Sequence, residues 1–276
     1  MSDRLAALLK HFSMSARTFQ AGALCGINRL DGTTPYGQLH LIRQGEVGVR
    51  HGNRLAEHIT EPSLLFYPRP TDHQFETDPE RGAEFVCAHV SFEGGAANPI
   101  VPALPAYICL PLRRLVQSPP VLELLFSEAE AQYCGRQAML DRLFEILLIQ
   151  MLRVLMEEGQ AQVGLLAGFA HPQLRRAIVA IHDQPERAWS VESLAQVAGM
   201  SRSVFSNLFR DVLGETPAGY LQRWRIGLVQ KWLAQGRPLK LIVEEAGYSN
   251  ESALSRAFKS QAGVSPREWL KESASR

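Results

Sequence analysis

Hydrophobic spacing along the 276-residue chain falls into two regimes. From Gly37 to about Cys109, apolar residues come in short β-branched or alternating runs. Leu39 to Ile42, Glu46 to Arg50, Leu64 to Tyr67 and Phe85 to Val90 have the length and composition of strands. Gly45, His51-Gly52-Asn53, Glu61-Pro62-Ser63 and the stretch from Pro68 to Asp72 punctuate them as turns. Short strands at this interval predict a small β-barrel or jelly roll. From Pro119 the period becomes helical. Val121, Leu122, Leu124 and Leu125 open one helix. Met139, Leu140, Leu143, Phe144, Leu147, Leu148, Met151, Leu152 and Leu155 put a wide apolar stripe on the next. Residues 119–158 are therefore expected to form a helical hairpin. Its stripe is wider than one barrel edge needs, which favours a homodimer contact over packing on the chain's own strands. Residues 159–170 are rich in small side chains and have the composition of an interdomain linker.

From 171 to 276 one helical pattern is written twice. The first copy runs Leu194-Ala195-Gln196-Val197-Ala198-Gly199-Met200-Ser201, then Phe209-Arg210, Gly214 and Thr216-Pro217. The second runs Ile242-Val243-Glu244-Glu245-Ala246-Gly247-Tyr248-Ser249, then Phe258-Lys259, Gly263 and Ser265-Pro266. The offset is 48 residues up to the serine and 49 from the phenylalanine, which places one extra residue in the second helix of the second copy. Each Ala-Gly pair ends a short helix: glycine supplies the left-handed closing residue and alanine permits close approach. The serine that follows is expected to cap the next helix. On that helix Phe205, Leu208 and Phe209, and in the second copy Leu254, Ala257 and Phe258, form one apolar face. The opposite face carries Arg202, Ser203, Ser206, Asn207 and Arg210, then Glu251, Ser252, Ser255, Arg256 and Lys259.

Two helix–turn–helix motifs with short polar side chains and arginine on the exposed helix suit two turns of a DNA major groove. Arg202, Ser203, Ser206 and Asn207 are expected to reach bases from the first motif, and Glu251, Ser252 and Arg256 from the second. Arg210, Lys240 and Lys259 are placed for phosphates. Thr216-Pro217 opens a connector helix that runs to about Gln235. A helix of about 20 residues spans about 30 Å, near the ~34 Å between successive major-groove segments.

Residues 171–276 resemble the DNA-binding domain of AraC/XylS-family transcription regulators. The likeness rests on Ala198-Gly199-Met200-Ser201, Phe209-Arg210, Gly214-Glu215-Thr216-Pro217, Ala246-Gly247-Tyr248, Phe258-Lys259 and Gly263-Val264-Ser265-Pro266. In the strand-rich half, His40 to Glu46, Leu65-Phe66-Tyr67-Pro68, His73 and the stretch Cys87 to Pro99 with Leu104-Pro105 are similar to the cupin-like sensor of such regulators. The resemblance implies an α+β multidomain chain. A cupin-like β-barrel would occupy 1–118, the helical hairpin 119–158 and the linker 159–170, with an all-α double helix–turn–helix domain over 171–276. It further implies a non-enzymatic, cytoplasmic regulator that acts as an activator. Its expected partners are promoter double-stranded DNA, RNA polymerase and a second copy of the chain, and its signal a small molecule or an oxidant.

Charge agrees with this division. The whole chain carries +1, but residues 171–276 hold 15 Lys+Arg against 10 Asp+Glu, and residues 1–170 hold 14 against 18. A basic half joined to an acidic half fits a nucleic-acid module attached to something else. No run of 18 apolar residues predicts a membrane span, and the first 17 residues lack the apolar core of a secretory signal.

Candidate chemistry in the first half is confined to histidine and cysteine. Metal-binding cupins use a His-x-His pair, whereas here Ile42 follows His40. A site built from His40, His73 and His89 remains open, and with it the alternative of a metal-dependent cupin enzyme fused to a DNA-binding domain. No catalytic set and no cofactor is expected. The four cysteines, at 25, 87, 109 and 134, form no CxxC pair. Cys25 and Cys87 are the candidates for a thiol switch.

Overall fold

The structure is a computed structural model that describes residues 3–95, 98–157 and 164–274. Positions 159–163 of the expected linker lie outside them. The chain separates into two compact units that interleave in sequence. One comprises Met14–Phe92 and Leu104–Glu157; the other comprises the described residues of Met1–Ser13, Glu93–Ala103 and Glu158–Arg276.

The first unit holds two antiparallel sheets. Five strands lie in the order β1 (Met14–Leu24), β8 (Ala83–Phe92), β3 (Gly37–Gln44), β6 (Ser63–Tyr67) and β9 (Ile108–Pro111). The other sheet runs β2 (Ile27–Leu30), β7 (His73–Glu76), β4 (Val47–His51) and β5 (Arg54–Ile59). Their ladders are separate: no strand pairing closes them into one barrel among the described residues. The core between them takes Ile42, Leu65, Tyr67, Phe85 and Cys87 from the larger sheet and Val47, Val49, Ile59 and Phe75 from the smaller. β3 and β6 are buried on both faces, which explains why their apolar residues do not alternate with exposed polar ones.

Two helices, α3 (Pro119–Glu130) and α4 (Arg136–Glu157), pack on each other and on β1. The apolar stripe of α4, from Leu140 to Leu155, is buried by the chain itself, and of its expected members only Met139 stands exposed. The width of the stripe therefore reflects two neighbours within the unit, α3 and the sheet.

The second unit is helical. It contains α1 (Arg4–His11), α2 (Ile100–Ala103), α5 (Leu165–Ala170), α6 (Leu174–Asp183), α7 (Val191–Ala198), α8 (Arg202–Leu213), α9 (Pro217–Ala234), α10 (Leu239–Ile242), α11 (Glu251–Ala262) and α12 (Pro266–Ala274). Residues 165–170, expected as linker, form α5 instead, with Leu165, Leu166 and Phe169 buried. Its small residues serve packing rather than flexibility. A Cβ on Gly168 would stand 2.6 Å from Ile178 Cδ1 and 3.0 Å from Leu213 Cδ1, so a larger residue there would require these side chains to shift.

α1 also belongs to this unit. Asp3 caps it, and Arg4 Nη1 donates to Phe169 O at 3.0 Å. At its end His11 and Phe12 meet Trp224 of α9 edge-on, with centroids 5.8 and 5.2 Å apart. Lys231 Nζ donates to His11 O and pairs with Glu93 at 3.0 Å. No helix among the described residues is long and apolar enough to cross a membrane.

Candidate nucleic-acid interface

Each motif is assembled by its caps. Ser190 opens α7 through a reciprocal capping box with Ser193, and Gly199 closes it at φ 70°. Ser201 occupies the cap of α8, although its hydroxyl makes no capping bond. In the second motif α10 is a single turn, and Gly247 at φ 75° precedes the next helix. The cap of α11 is Asn250, whose Oδ1 accepts the Ala253 N–H at 2.9 Å; Ser249, expected in that role, lies one residue earlier. This locates the extra residue of the second copy. α8 and α11 are both 12 residues long, so it lies in the turn and not inside the helix.

The apolar faces point inward, with Phe205, Phe209, Leu254 and Phe258 fully buried. Arg202, Ser203, Asn207, Arg210, Glu251, Ser252, Arg256 and Lys259 are exposed, and Ser206 and Ser255 are half-buried. Lys240 is exposed on α10. Both helices thus present a polar, cationic face, and α9, with 18 residues, is about 27 Å long.

Two features of this face escaped sequence reasoning. Val204 is 55% exposed at the start of α8, where a branched apolar group suits a thymine methyl. Its position outside the 205/208/209 stripe was the available signal. Arg202 is not free: its Nε lies 2.8 Å from Glu192 Oε1 on α7. No local pattern announces a pair between two helices.

Beneath this face the core of the first motif is polar at one point. His182 on α6 is fully buried, shares a 2.6 Å hydrogen bond with Tyr220 Oη and stacks on Trp224 at 3.6 Å. Burial, and then the charges of His11 and Arg223, hold its imidazole well below the ordinary histidine range.

Between the sheets the structure brings two of the three candidate histidines together. His40 and His73 approach Nε2 to Nε2 at 3.1 Å. His73 Nδ1–H donates to Thr71 O at 2.9 Å, because a carbonyl can only accept. His73 Nε2 must then accept, and His40 Nε2–H donates to it. This leaves His40 Nδ1 buried without a partner. Burial lowers both imidazoles, His73 to about 4. His89 stacks on Phe19 with centroids 4.3 Å apart, and Phe19 in turn meets His40 edge-on at 6.4 Å. Among the described residues no group of three or more His, Cys, Asp or Glu is placed to hold a metal ion, so the three-histidine arrangement is not assembled.

The two candidate cysteines are also apart. Leu24 pairs with Ala83, and Cys25 Sγ would be 2.6 Å from a Cβ on Gly82. Cys87 lies five residues on from Gly82, or about 17 Å at strand rise. A disulfide needs Cα atoms within about 7 Å, so these two cannot join without moving β1. Cys87 is fully buried and its thiol is pushed well above the usual range by desolvation, which makes it unreactive; Cys25 is exposed.

Comparison with known proteins agrees with this geometry. The family described as "Cupin" matches residues 3–157, and a "Helix-turn-helix domain" matches residues 194–272. The HTH-type transcriptional regulator AlkR of Acinetobacter baylyi is 35% identical over 203 residues, 71% of this chain and 66% of AlkR. The chain belongs to the cupin-bearing AraC-type family. A putative AraC-like transcription regulator of Streptomyces antibioticus is 39% identical over 133 residues, 48% of this AraC-type chain. The chain spans 66% and 44% of the lengths of these two relatives. Among solved structures, ToxT of Vibrio cholerae in an unsaturated fatty acid-bound form is 14% identical, with a TM-score of 0.41 over 94% of each chain.

Proposed function

We propose that this AraC-type chain is a one-component transcription regulator. The strand-rich unit receives a signal and the double helix–turn–helix binds promoter DNA. The observation that carries this reading is the pair of equal-length, glycine-closed recognition helices on one connector, each with a buried aromatic face and an exposed polar face. Arg202, Ser203, Ser206, Asn207, Glu251, Ser252 and Arg256 read bases, with Val204 beside them. Arg210, Lys240 and Lys259 hold phosphates. The domain over 171–276 gains α5 at its front.

The signal is a small molecule or an oxidant. Of the two candidate thiols only Cys25 is exposed, so an oxidant acting on that pair would act at Cys25. A homodimer would use the outer face of the hairpin, where Leu124, Met139 and Ile146 are each more than 40% exposed. The chain works in the cytoplasm, is not an enzyme, and acts as an activator through RNA polymerase.

The deciding experiment is binding of the full chain to the duplex upstream of its own reading frame, at two salt concentrations, with and without oxidant. Specific binding with a steep salt slope supports the reading. Binding no tighter than to random DNA in every condition overturns it. An oxidant-dependent shift abolished by Cys25→Ser assigns the signal to that thiol; indifference to oxidant assigns it to a small molecule.

A further inference from the structure

The first helix–turn–helix motif packs chiefly on α5 and α6 and the second on α9 and α12; α9 also meets α8, and neither motif packs extensively on the other. Their mutual orientation therefore depends on few direct links, and one side chain supplies the most specific of them. Arg225, midway along α9, donates from Nε to Pro185 O at 2.7 Å and from Nη2 to Arg187 O at 2.8 Å. Both carbonyls lie in the loop between α6 and α7, which leads into the first motif. The same guanidinium faces the turn of the second motif. A Cβ on Gly247 would stand 2.5 Å from Arg225 Nη2 and 2.8 Å from Pro185 O. Arg225 Cζ lies 5.7 Å from the Tyr248 ring centroid. Gly247 thus answers two demands at once: a positive φ to end the short helix, and an absent side chain where the guanidinium passes.

Beside this contact the motifs are not otherwise filled in. A cleft of about 250 Å³ opens there, lined by Trp189, Leu194, Pro217, Leu221, Tyr248 and Ala257. Tyr248 Oη is buried without a hydrogen-bond partner. A planar fork that binds two carbonyls fixes direction as well as distance, which a lysine ammonium cannot do.

We propose that Arg225 is the positioning residue that sets the separation of the two recognition helices, and so selects DNA whose two boxes lie one helical turn apart. The proposal rests on the reading of the chain as a DNA-binding regulator. Two modules held in register bind a two-box site far more tightly than either box, and lose that gain when the register loosens. Arg225 touches no DNA in this scheme, so each box by itself should be bound as before.

The test uses the full chain and duplexes that the wild-type protein enriches from a random pool. Arg225→Ala, Arg225→Lys and Gly247→Ala are compared, with helical circular dichroism as the check on folding. The expected result is a loss of about tenfold or more on the two-box duplex, with binding to a single box at low salt unchanged. Tolerance of a spacer changed by one or two base pairs should rise, and the lysine variant should recover part of the loss. Equal losses on one-box and two-box DNA, or wild-type behaviour in all three variants, would overturn the proposal.

A measurement without DNA separates this inference from the reading beneath it. Spin labels on non-natural residues at positions 203 and 252 report the distance between α8 and α11. The wild type should give one narrow distance and Arg225→Lys a broadened one. If no duplex is enriched, the regulator reading falls while a broadened distance still establishes Arg225 as the coupling residue. An unchanged distance removes that role whatever the DNA result.

Discussion

Asp141 on α4 accepts the backbone N–H of Thr18 on β1 at 2.7 Å. The contact answers a specific need. β1 is the edge of the larger sheet, and its pairing with β8 slips between Thr18 and Gln20. Such an edge leaves backbone groups unpaired and open to another chain. Asp141 takes the Thr18 N–H, Gln137 Nε2 donates to Thr18 O at 3.0 Å, and Glu145 accepts the Ala16 N–H at 3.4 Å. The long helix covers the edge with its polar residues while its stripe is buried by the same unit. Asp141→Ala is expected to destabilise the strand-rich unit by about 1–3 kcal/mol and to promote concentration-dependent association. Thermal unfolding and light scattering against protein concentration check both parts; an unchanged midpoint with no association removes the edge-protection account.

Acid should weaken the fold through its buried imidazoles. His40, His73 and His182 are all held below the ordinary value by burial. Between pH 6.5 and about 4 an unfolded chain binds the proton that folded His73 refuses. The stabilising contribution is complete above the unfolded pKa and is lost as pH falls through that window. For His73 the loss is about 3 kcal/mol. Denaturant unfolding from pH 7 to pH 4 should show a steep decline, and His73→Asn should flatten it while lowering stability at pH 7. Parallel slopes for wild type and variant would refute the assignment.

On the recognition helices, charge and readout separate by position. Arg256→Ala is expected to cost about 1–3 kcal/mol on the preferred site and to relax sequence choice at one base pair. Lys259→Ala should weaken all sequences alike and reduce the salt slope by about one. Competition between preferred and random duplexes distinguishes them, and equal losses on both duplexes for Arg256→Ala would exclude base readout.

If Arg202 contacts DNA as proposed, Glu192 competes for its guanidinium. Its carboxylate pairs with the guanidinium across two helices and adds negative charge beside the proposed interface. Glu192→Gln should therefore tighten binding a few-fold, with the gain abolished in the Arg202→Ala background. A gain of equal size in that background would attribute the effect to general charge alone.

How much of this was legible in sequence varies with the range of the interaction involved. The helix–turn–helix pair was legible because its signals are local: a glycine that closes a helix, a proline that opens one and an apolar pair at i and i+4 all act within a few residues. β3, β4, β6 and β8 were legible for the same reason, through period and turn residues. β2 and β5, INRL and RLAEHI, were not, since the pairing across the smaller sheet selects them more than their composition does. The N-cap of α11 slipped by one residue because Ser249 and Asn250 are both able to cap, and only the packing of Leu254 and Phe258 decides the phase.

The chain by itself determined that two DNA-reading helices hang on one connector, and that a strand-rich, histidine-bearing domain precedes them. Tertiary structure alone decided which side chains meet. It joined His40 to His73, stacked His89 on Phe19, and set Cys25 beside Gly82, five residues before Cys87. It also made α5 from an apparent linker and brought Arg225 against a loop 40 residues upstream. Helix period, caps and turns arise from neighbours in sequence and are written locally. Contacts between distant segments arise only when sheets pair and helices dock, so no single stretch of sequence contains them.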